Sequence, residues 1–531
     1  MTRKDALLQY LAALVVFLVL SLWIREPGYM DAEYYTLSAV QLAEGKGLTQ
    51  PILWNYLDDP TGIPHPSHTY WMPAPSLLAA ASMSLFGRQD FVTGRLPFIF
   101  IAALAAPAAG WMGYCFSRRR HIAWLAAGFA AFSGYYVPYA ATTDSFFLVM
   151  AGAWLIFFCV DRILQKKENS SLFYWLTAGV ACGWMHLNRA DGFLWLGPVI
   201  LVWVILRIRF LRDLRSWREL LLIAAGYALI TGFWYARNLA VYGSLSIPNS
   251  SRSLWMTGYD ELFTFPPDLL TYQHWSQSGW VAIIQDRLGA LGRNLTSMAA
   301  VQGLVLLFPL WIVSLWKRRD DPLVRISLGM ELLILLVMSF IFPYSGMRGG
   351  FLHSSAALQP VIWGLSAVGF VDVIEWVSKK RRWNPDRALK LFTPALVVLC
   401  GLATFFVVQQ MVIGDDPQQP AWEVSYRHAQ QAAELMQVNR IPETARIMIN
   451  NPVGFSLLTN REALVIPFGT PEETLAAARK FEAGYVILDK NLVEGMIPLY
   501  THHEQYSKFT LIEKQGDMLL LRINADQGED Q

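Results

Sequence analysis

Apolar residues in this chain are gathered into long unbroken runs, instead of recurring at the spacing of an amphipathic helix or strand. Runs of about the length that carries a helix across a bilayer fall at 7–24, 96–116, 122–139, 145–160, 172–187, 192–206, 219–236, 298–316, 326–343, 356–373 and 391–411. They predict a polytopic α-helical membrane protein with eleven spans. A shorter apolar stretch, 74–87, would reach only about 21 Å as a helix and is expected to lie along the membrane interface. Beyond residue 411 the pattern changes. Strand-like runs at 445–450, 463–467 and 484–488 alternate with helical patterns at 420–437 and 472–482, and a final apolar run sits at 516–522. This predicts a small α/β domain over 412–523. The polar end, 524–531, is expected to be disordered.

Lys and Arg set the orientation. With the N-terminus in the cytoplasm, the short segments 1–6, 117–121, 161–171, 207–218, 317–325 and 374–390 hold 23 of the 43 basic residues. The much longer opposite loops hold few, so the positive-inside rule predicts N-in, C-out. Two outer loops are long, 25–95 and 237–297, and the membrane part closes at 411. The first run follows Arg3 and Lys4 as a signal peptide would, but without a small-residue cleavage site it is read as a retained helix.

Composition narrows the class further. The chain is 54% hydrophobic and only 16% charged, with a mean hydropathy of +0.32. Soluble domains carry about 25% charge, so a disordered, fibrous or cytosolic protein is excluded. A net charge of +2 gives no footing for a nucleic-acid partner. Cys115, Cys159, Cys182 and Cys400 all fall in or at the ends of spans and read as small core residues.

The candidate chemistry lies at the predicted outer face. Asp31 and Glu33 follow the first span in GYMDAEYY, and Asp144 lies between two spans in ATTDSF. Each acid can be a helix cap, yet the topology puts Asp31 and Asp144 at one membrane level. Arg189 in HLNRADG, Arg237 in WYARN, and Arg348 with His353 in RGGFLHSS recur at that level. Guanidinium forks fit phosphate. Headgroups and neighbouring acids are the competing partners, but together these residues point to an anion bound at the outer leaflet. A divalent metal is compatible with the acids and with His65, His68, His274 and His353. No pair of these has a diagnostic spacing, and only Asp31 and Glu33 are named as ligands.

In order, spacing and membrane side these motifs resemble the GT-C glycosyltransferases. The match is to the family 39-like group of protein O-mannosyltransferases and lipid A aminoarabinose transferases. The resemblance rests on the carboxylate-bearing first loop, WMPAP at 71–75 with SLFG and RLP following, T-x-D-S, R-x-D-G and WYxRNxxxYGS, and it covers residues 1–375. It implies a GT-C fold and a polyprenyl-phosphate sugar donor. The acceptor would be a lipid, glycan or protein, and transfer would occur outside a bacterial plasma membrane. It makes Asp31 the catalytic base, with Glu33 beside it and Asp144 as the second acid. Arg237, Arg348 and His353, with Arg189 behind them, are then the candidates for the donor phosphate. Tyr34, Tyr35 and Trp71 are candidates for a sugar or acceptor pocket, or for an interfacial belt. The family's adjacent acidic pair is split here by Ala32, and Tyr70-Trp71-Met72 replaces the Glu-Lys that relatives carry before the Pro-rich turn.

The alternative is a transporter or flippase for a lipid-linked glycan, which would place ionisable groups near the midplane and show repeated halves. Here such groups gather at one face, with Glu331 the exception. The orientation is checked with single cysteines and an impermeant thiol reagent on intact cells. Cysteines at Ser67, Ser276 and Thr459 should react and one at Ser170 should not; labelling at Ser170 would reverse the topology.

Overall fold

The computed structural model describes residues 1–166, 172–210 and 214–524. The Ser170 probe site lies outside the described residues, and Ser67 is fully buried, so of the outer positions Ser276 and Thr459 carry the labelling test.

Helices predominate in the first 413 residues. Among the described residues, seven are long and apolar enough to cross a membrane: Phe91–Ser117, Phe146–Gln165, Ala190–Arg207, Trp217–Tyr242, Pro322–Ile341, Pro343–Arg381 and Pro385–Ile413. The remaining four predicted spans correspond to helices Arg3–Leu20, Arg120–Ala131, Leu172–Asn188 and Phe308–Lys317, which are shorter or carry more charge. Two of these four are broken where the sequence predicts continuity. The run at 122–139 is helical only to Ala131 and then turns through two 3-10 segments, Gly134–Tyr136 and Pro138–Ala141. The run at 298–316 breaks at Leu304 and Val305, which take φ of 43° and 53°, and restarts at Phe308 with Pro309 in the first turn. Proline is tolerated in a first turn because its missing N–H would have no partner there.

The bundle packs closely through small residues. A Cβ on Gly179 would stand 2.2 Å from the Ile223 carbonyl, and one on Gly226 would stand 2.3 Å from that of Leu176. Backbones approach this closely only where glycine leaves room. At one end, Arg119 pairs with Glu375 at 2.6 Å and Arg318 with Asp372 at 2.6 Å. These ion pairs bring three of the predicted basic segments together at one end of the bundle.

At the other end the first loop and the C-terminal residues build one body. Strands β1 (Thr49–Gln50), β2 (Ile52–Leu53) and β3 (His65–Pro66) come from the first loop. Strands β4 (Arg446–Met448), β5 (Ala463–Leu464), β6 (Ala483–Leu488), β7 (Phe509–Gln515) and β8 (Met518–Ile523) come from the C-terminal part. The six-stranded sheet has the order β2-β5-β4-β6-β8-β7, parallel from β2 to β6 and antiparallel beyond. One edge of the C-terminal sheet is thus supplied by the first loop. The two parts also share a core in which Tyr34, Leu37, Ile52 and Trp54 join Leu435, Ile447, Val453 and Phe455. The domain boundary expected at 411/412 runs through this shared core.

The close helix approach predicts opposite effects for two glycines. Gly179→Ala should lower the thermal unfolding midpoint in detergent, because overpacking against backbone costs about 1–3 kcal/mol. Gly232→Ala, whose added carbon meets nothing within 4 Å, should be neutral or stabilising by up to about 1 kcal/mol. Equal midpoints would show that the two helices part without cost.

Candidate functional site

The helix Met30–Ala43 opens the first loop, and its N-cap is Tyr29, which makes no side-chain capping bond. Asp31 therefore lies inside the first turn and is not the cap. Its carboxylate faces the bundle. There His353 Nε2 stands 3.8 Å from Asp31 Oδ2, and His353 Nδ1 stands 3.6 Å from Asp144 Oδ1. The His353 ring stacks on Phe146 with centroids 3.9 Å apart. Gly349, at φ 124°, makes the turn that brings His353 there, a conformation that side-chain-bearing residues avoid.

Asp144 does two jobs. Its Oδ1 accepts the Phe146 amide at 2.9 Å at the start of the following helix, and its Oδ2 accepts the Tyr29 hydroxyl. The Asp144 side chain is 0% exposed, whereas that of Asp31 is 30% exposed. Burial raises Asp144 to about 7, opposed by the Phe146 amide and the Arg189 charge. Burial likewise raises Asp31 to about 6, opposed by Arg189 and by a hydrogen bond with Trp71.

Arg189 is the cation of this cluster. Its Nε reaches Asp191 at 3.0 Å and Ser354 Oγ at 3.1 Å, and its side chain is 20% exposed. Arg348 stands at the rim, exposed, with its guanidinium 4.6 Å from the Tyr259 ring centroid. Tyr259 is within electrostatic reach of Asp31 and Tyr70.

Several predicted site residues lie elsewhere. Glu33 points away from Asp31 and is bound by Ser425 and Asn451 of the C-terminal part. Arg237 donates to the carbonyls of Ser67 at 2.9 Å and Leu48 at 3.5 Å and packs on Trp234 and Tyr242. It holds the first loop. His353, expected near a phosphate, lies between the two acids instead. Of the aromatic residues, Trp71 and Tyr35 neighbour Asp31. Tyr34 is buried behind Trp71, donating to Gln50 at 2.7 Å. His65 and His68 bond Gln50 and Ser76, and His274 pairs with Glu261 at 2.9 Å. Tyr29, Ser145, Phe146 and Ser354 join the site without being singled out by the sequence, although all four sit within the motifs GYMDAEYY, ATTDSF and RGGFLHSS.

Among the described residues, Asp31, Asp144 and His353 are the group of acids and histidines able to share a metal ion, with one ligand atom each within 4.8 Å of the others. The predicted pairing of Asp31 with Glu33 as ligands is replaced by this set, because side chains two positions apart on a helix diverge.

No protein-family model matches the sequence, and no curated protein sequence matches it either. Solved structures do. ArnT from Cupriavidus metallidurans in the apo state aligns at a TM-score of 0.55 and 13% identity over 97% of both chains. ArnT bound to undecaprenyl phosphate aligns at 0.50 and 13% over all of both chains. The oligosaccharyltransferase of Archaeoglobus fulgidus in complex with Zn and sulfate aligns at 0.53 and 14%, over 90% of this chain and 68% of its own. This integral membrane protein therefore shares the fold of ArnT and of the archaeal oligosaccharyltransferase, the GT-C fold that its motifs led us to expect.

Proposed function

We propose that this chain is a membrane glycosyltransferase moving a sugar from a polyprenyl-phosphate donor to an acceptor at the extracytoplasmic face, with Asp31 as general base. The observation that carries the reading is the convergence of Asp31, Asp144 and His353 at the loop-bearing end of an apolar helical bundle. The donor class is supported by the neighbouring fold, since ArnT from Cupriavidus metallidurans binds undecaprenyl phosphate. A bacterial plasma membrane with the C-terminal part outside agrees with the clustering of basic segments at the opposite end.

The acceptor hydroxyl gives its proton to the Asp31 carboxylate as its oxygen bonds the anomeric carbon. The carbon–oxygen bond to phosphate breaks, and its electron pair leaves with the phosphate. Asp31 suits the proton transfer because it alone of the two site acids is open to a substrate. Asp144 is enclosed and acts on His353 and Tyr29, which makes it a positioning residue. Arg348 at the rim is the side chain for the departing phosphate, with Arg189 behind it. The oxygen and imidazole donors of Asp31, Asp144 and His353 also suit a divalent cation. Such an ion would supply positive charge to the leaving phosphate. The flippase alternative has less support, because the site acids and arginines gather at one end of the bundle, while Glu331, buried within the helix Pro322–Leu336 and 3.4 Å from Gln302, stands apart from them.

Asp31→Asn keeps the shape of the side chain but cannot take a proton, so kcat should fall by about 10²–10⁴ while donor binding survives. Unchanged specific activity would remove Asp31 from the chemistry. Because the base must be ionised, kcat/KM of metal-free protein should rise with pH and reach half its plateau near pH 6, the value burial gives Asp31. A bound cation would stabilise the carboxylate and move that midpoint lower. A midpoint that stays near 3.8 after chelation would show that burial does not raise Asp31, and a midpoint unchanged in Asp31→Asn would show that Asp31 is not the titrating base.

The arginines are separated by lipid charge. Arg348→Ala should weaken binding of a polyprenyl-phosphate sugar by roughly 10- to 100-fold, the value of a charge-assisted bond, and leave a neutral polyprenol unaffected. Arg237→Ala should weaken both lipids alike, because it acts through the first loop. Equal losses for Arg348→Ala would withdraw the phosphate assignment.

A further inference from the structure

Glu33 lies two residues from Asp31 but belongs to a different contact. It is only 3% exposed and carries no ion pair with Lys, Arg or His among the described residues. Instead, Ser425 Oγ donates to Glu33 Oε1 at 2.6 Å and Asn451 Nδ2 donates to Glu33 Oε2 at 2.7 Å. Asn451 Nδ2 also donates to Ser425 Oγ at 2.8 Å, and Asn451 Oδ1 accepts the Gly454 amide at 3.1 Å as cap of the helix Pro452–Thr459. The orientation of the Asn451 amide is therefore fixed by both of its ends. Gly454 leaves the space the carboxylate uses, since a Cβ there would stand 2.8 Å from Glu33 Oε1.

The same turn of helix is held on its other side by the bundle. Thr143 Oγ1 donates to the Ala32 carbonyl at 2.9 Å, and Thr142 Oγ1 to that of Pro27 at 3.0 Å. A second contact from the C-terminal part meets the chain just before this turn. The Trp422 indole donates to the Glu26 carbonyl at 3.1 Å and packs edge-on against Tyr29, whose hydroxyl binds Asp144. The turn that presents Asp31 is thus fixed between the Thr142–Asp144 segment and the C-terminal sheet domain.

We propose that Glu33 is a positioning residue through which the C-terminal domain, by way of Ser425 and Asn451, sets the placement of Asp31. The role in catalysis rests on the assignment of Asp31 as base; the contact itself does not. It also replaces the expectation that Glu33 is a catalytic acid.

The test exchanges the two side chains in the full-length protein. Glu33→Gln replaces two acceptor oxygens by one, so the side chain can accept from Ser425 or from Asn451 but not from both, and the Asn451 amide cannot turn to compensate without losing Gly454. Asn451→Asp sets carboxylate against carboxylate. Each single change should lower kcat by roughly 10- to 100-fold, as a small misplacement of a catalytic group does, with little change in KM for the donor. Each should also speed hydrogen exchange at amides 33–36. The double variant Glu33→Gln/Asn451→Asp restores donor facing acceptor and should bring both kcat and exchange back to near the parent values. Ser425→Ala, which removes one donor, is the milder variant should a single exchange fail to fold.

A double variant as impaired as Glu33→Gln would mean that a carboxylate is needed at position 33 itself, and would overturn the proposal. So would single variants with parental kcat and exchange. If the parent protein transfers no sugar from any polyprenyl-phosphate donor, the transferase reading falls, and the exchange rates alone then decide whether the contact fixes the helix.

Discussion

Two carboxylates leave one turn of helix in opposite directions, and much of the loop-bearing half of the structure answers to that. Side chains two residues apart on a helix point about 200° from each other. If Asp31 meets the bundle, Glu33 must meet whatever lies on the far side. Each is costly to bury without partners, so each side has to supply them. The bundle supplies His353, Arg189 and the Thr142–Asp144 turn, and the C-terminal part supplies Ser425 and Asn451. A helix under this constraint has to lie between two bodies. The sharing of β2 with the C-terminal sheet and the mixed core of Tyr34, Leu37, Val453 and Phe455 are how the chain achieves it.

The same constraint divides labour among the acids. Asp144 and Glu33 are both enclosed and both fully engaged in hydrogen bonds, so neither can exchange a proton with a substrate without breaking the local structure. Asp31 is near both, yet its side chain is 30% exposed and makes few bonds of its own. Environment alone thus separates one open carboxylate from two enclosed ones of similar chemistry.

Much of the frame was legible in the sequence because hydrophobic runs report directly on burial in lipid. They do not report on backbone continuity, so the breaks after Ala131 and at Leu304–Val305 passed unseen inside apolar segments. Strands β4, β5 and β6 were legible as short strand-like runs, whereas the segment of β8 showed only as an apolar run. β2 is two residues long and draws its stability from a partner in the C-terminal part, so no local pattern marks it. For the site, membrane sidedness put Asp31, Asp144, Arg189, Arg348 and His353 at one level but gave no distances within it. His353 was therefore assigned to a phosphate when it lies between acids. Glu33 could not be placed at all from local sequence, because its partners are 392 and 418 residues away.

Charge also orders the approach of a substrate on the proposed reading. Arg189 sits closest to the acids but is committed to Asp191 and Ser354. A phosphate driven to that depth would meet two carboxylates and an arginine already occupied, in a setting where like charges repel strongly. Arg348 is exposed, its guanidinium over the Tyr259 ring. A lipid phosphate held there stays at the rim, its chain beside the apolar helices, and only the sugar needs to reach past Tyr259 and Tyr70 toward Asp31. The depth difference between the free arginine and the open acid then keeps the leaving group and the base apart, as transfer between them requires.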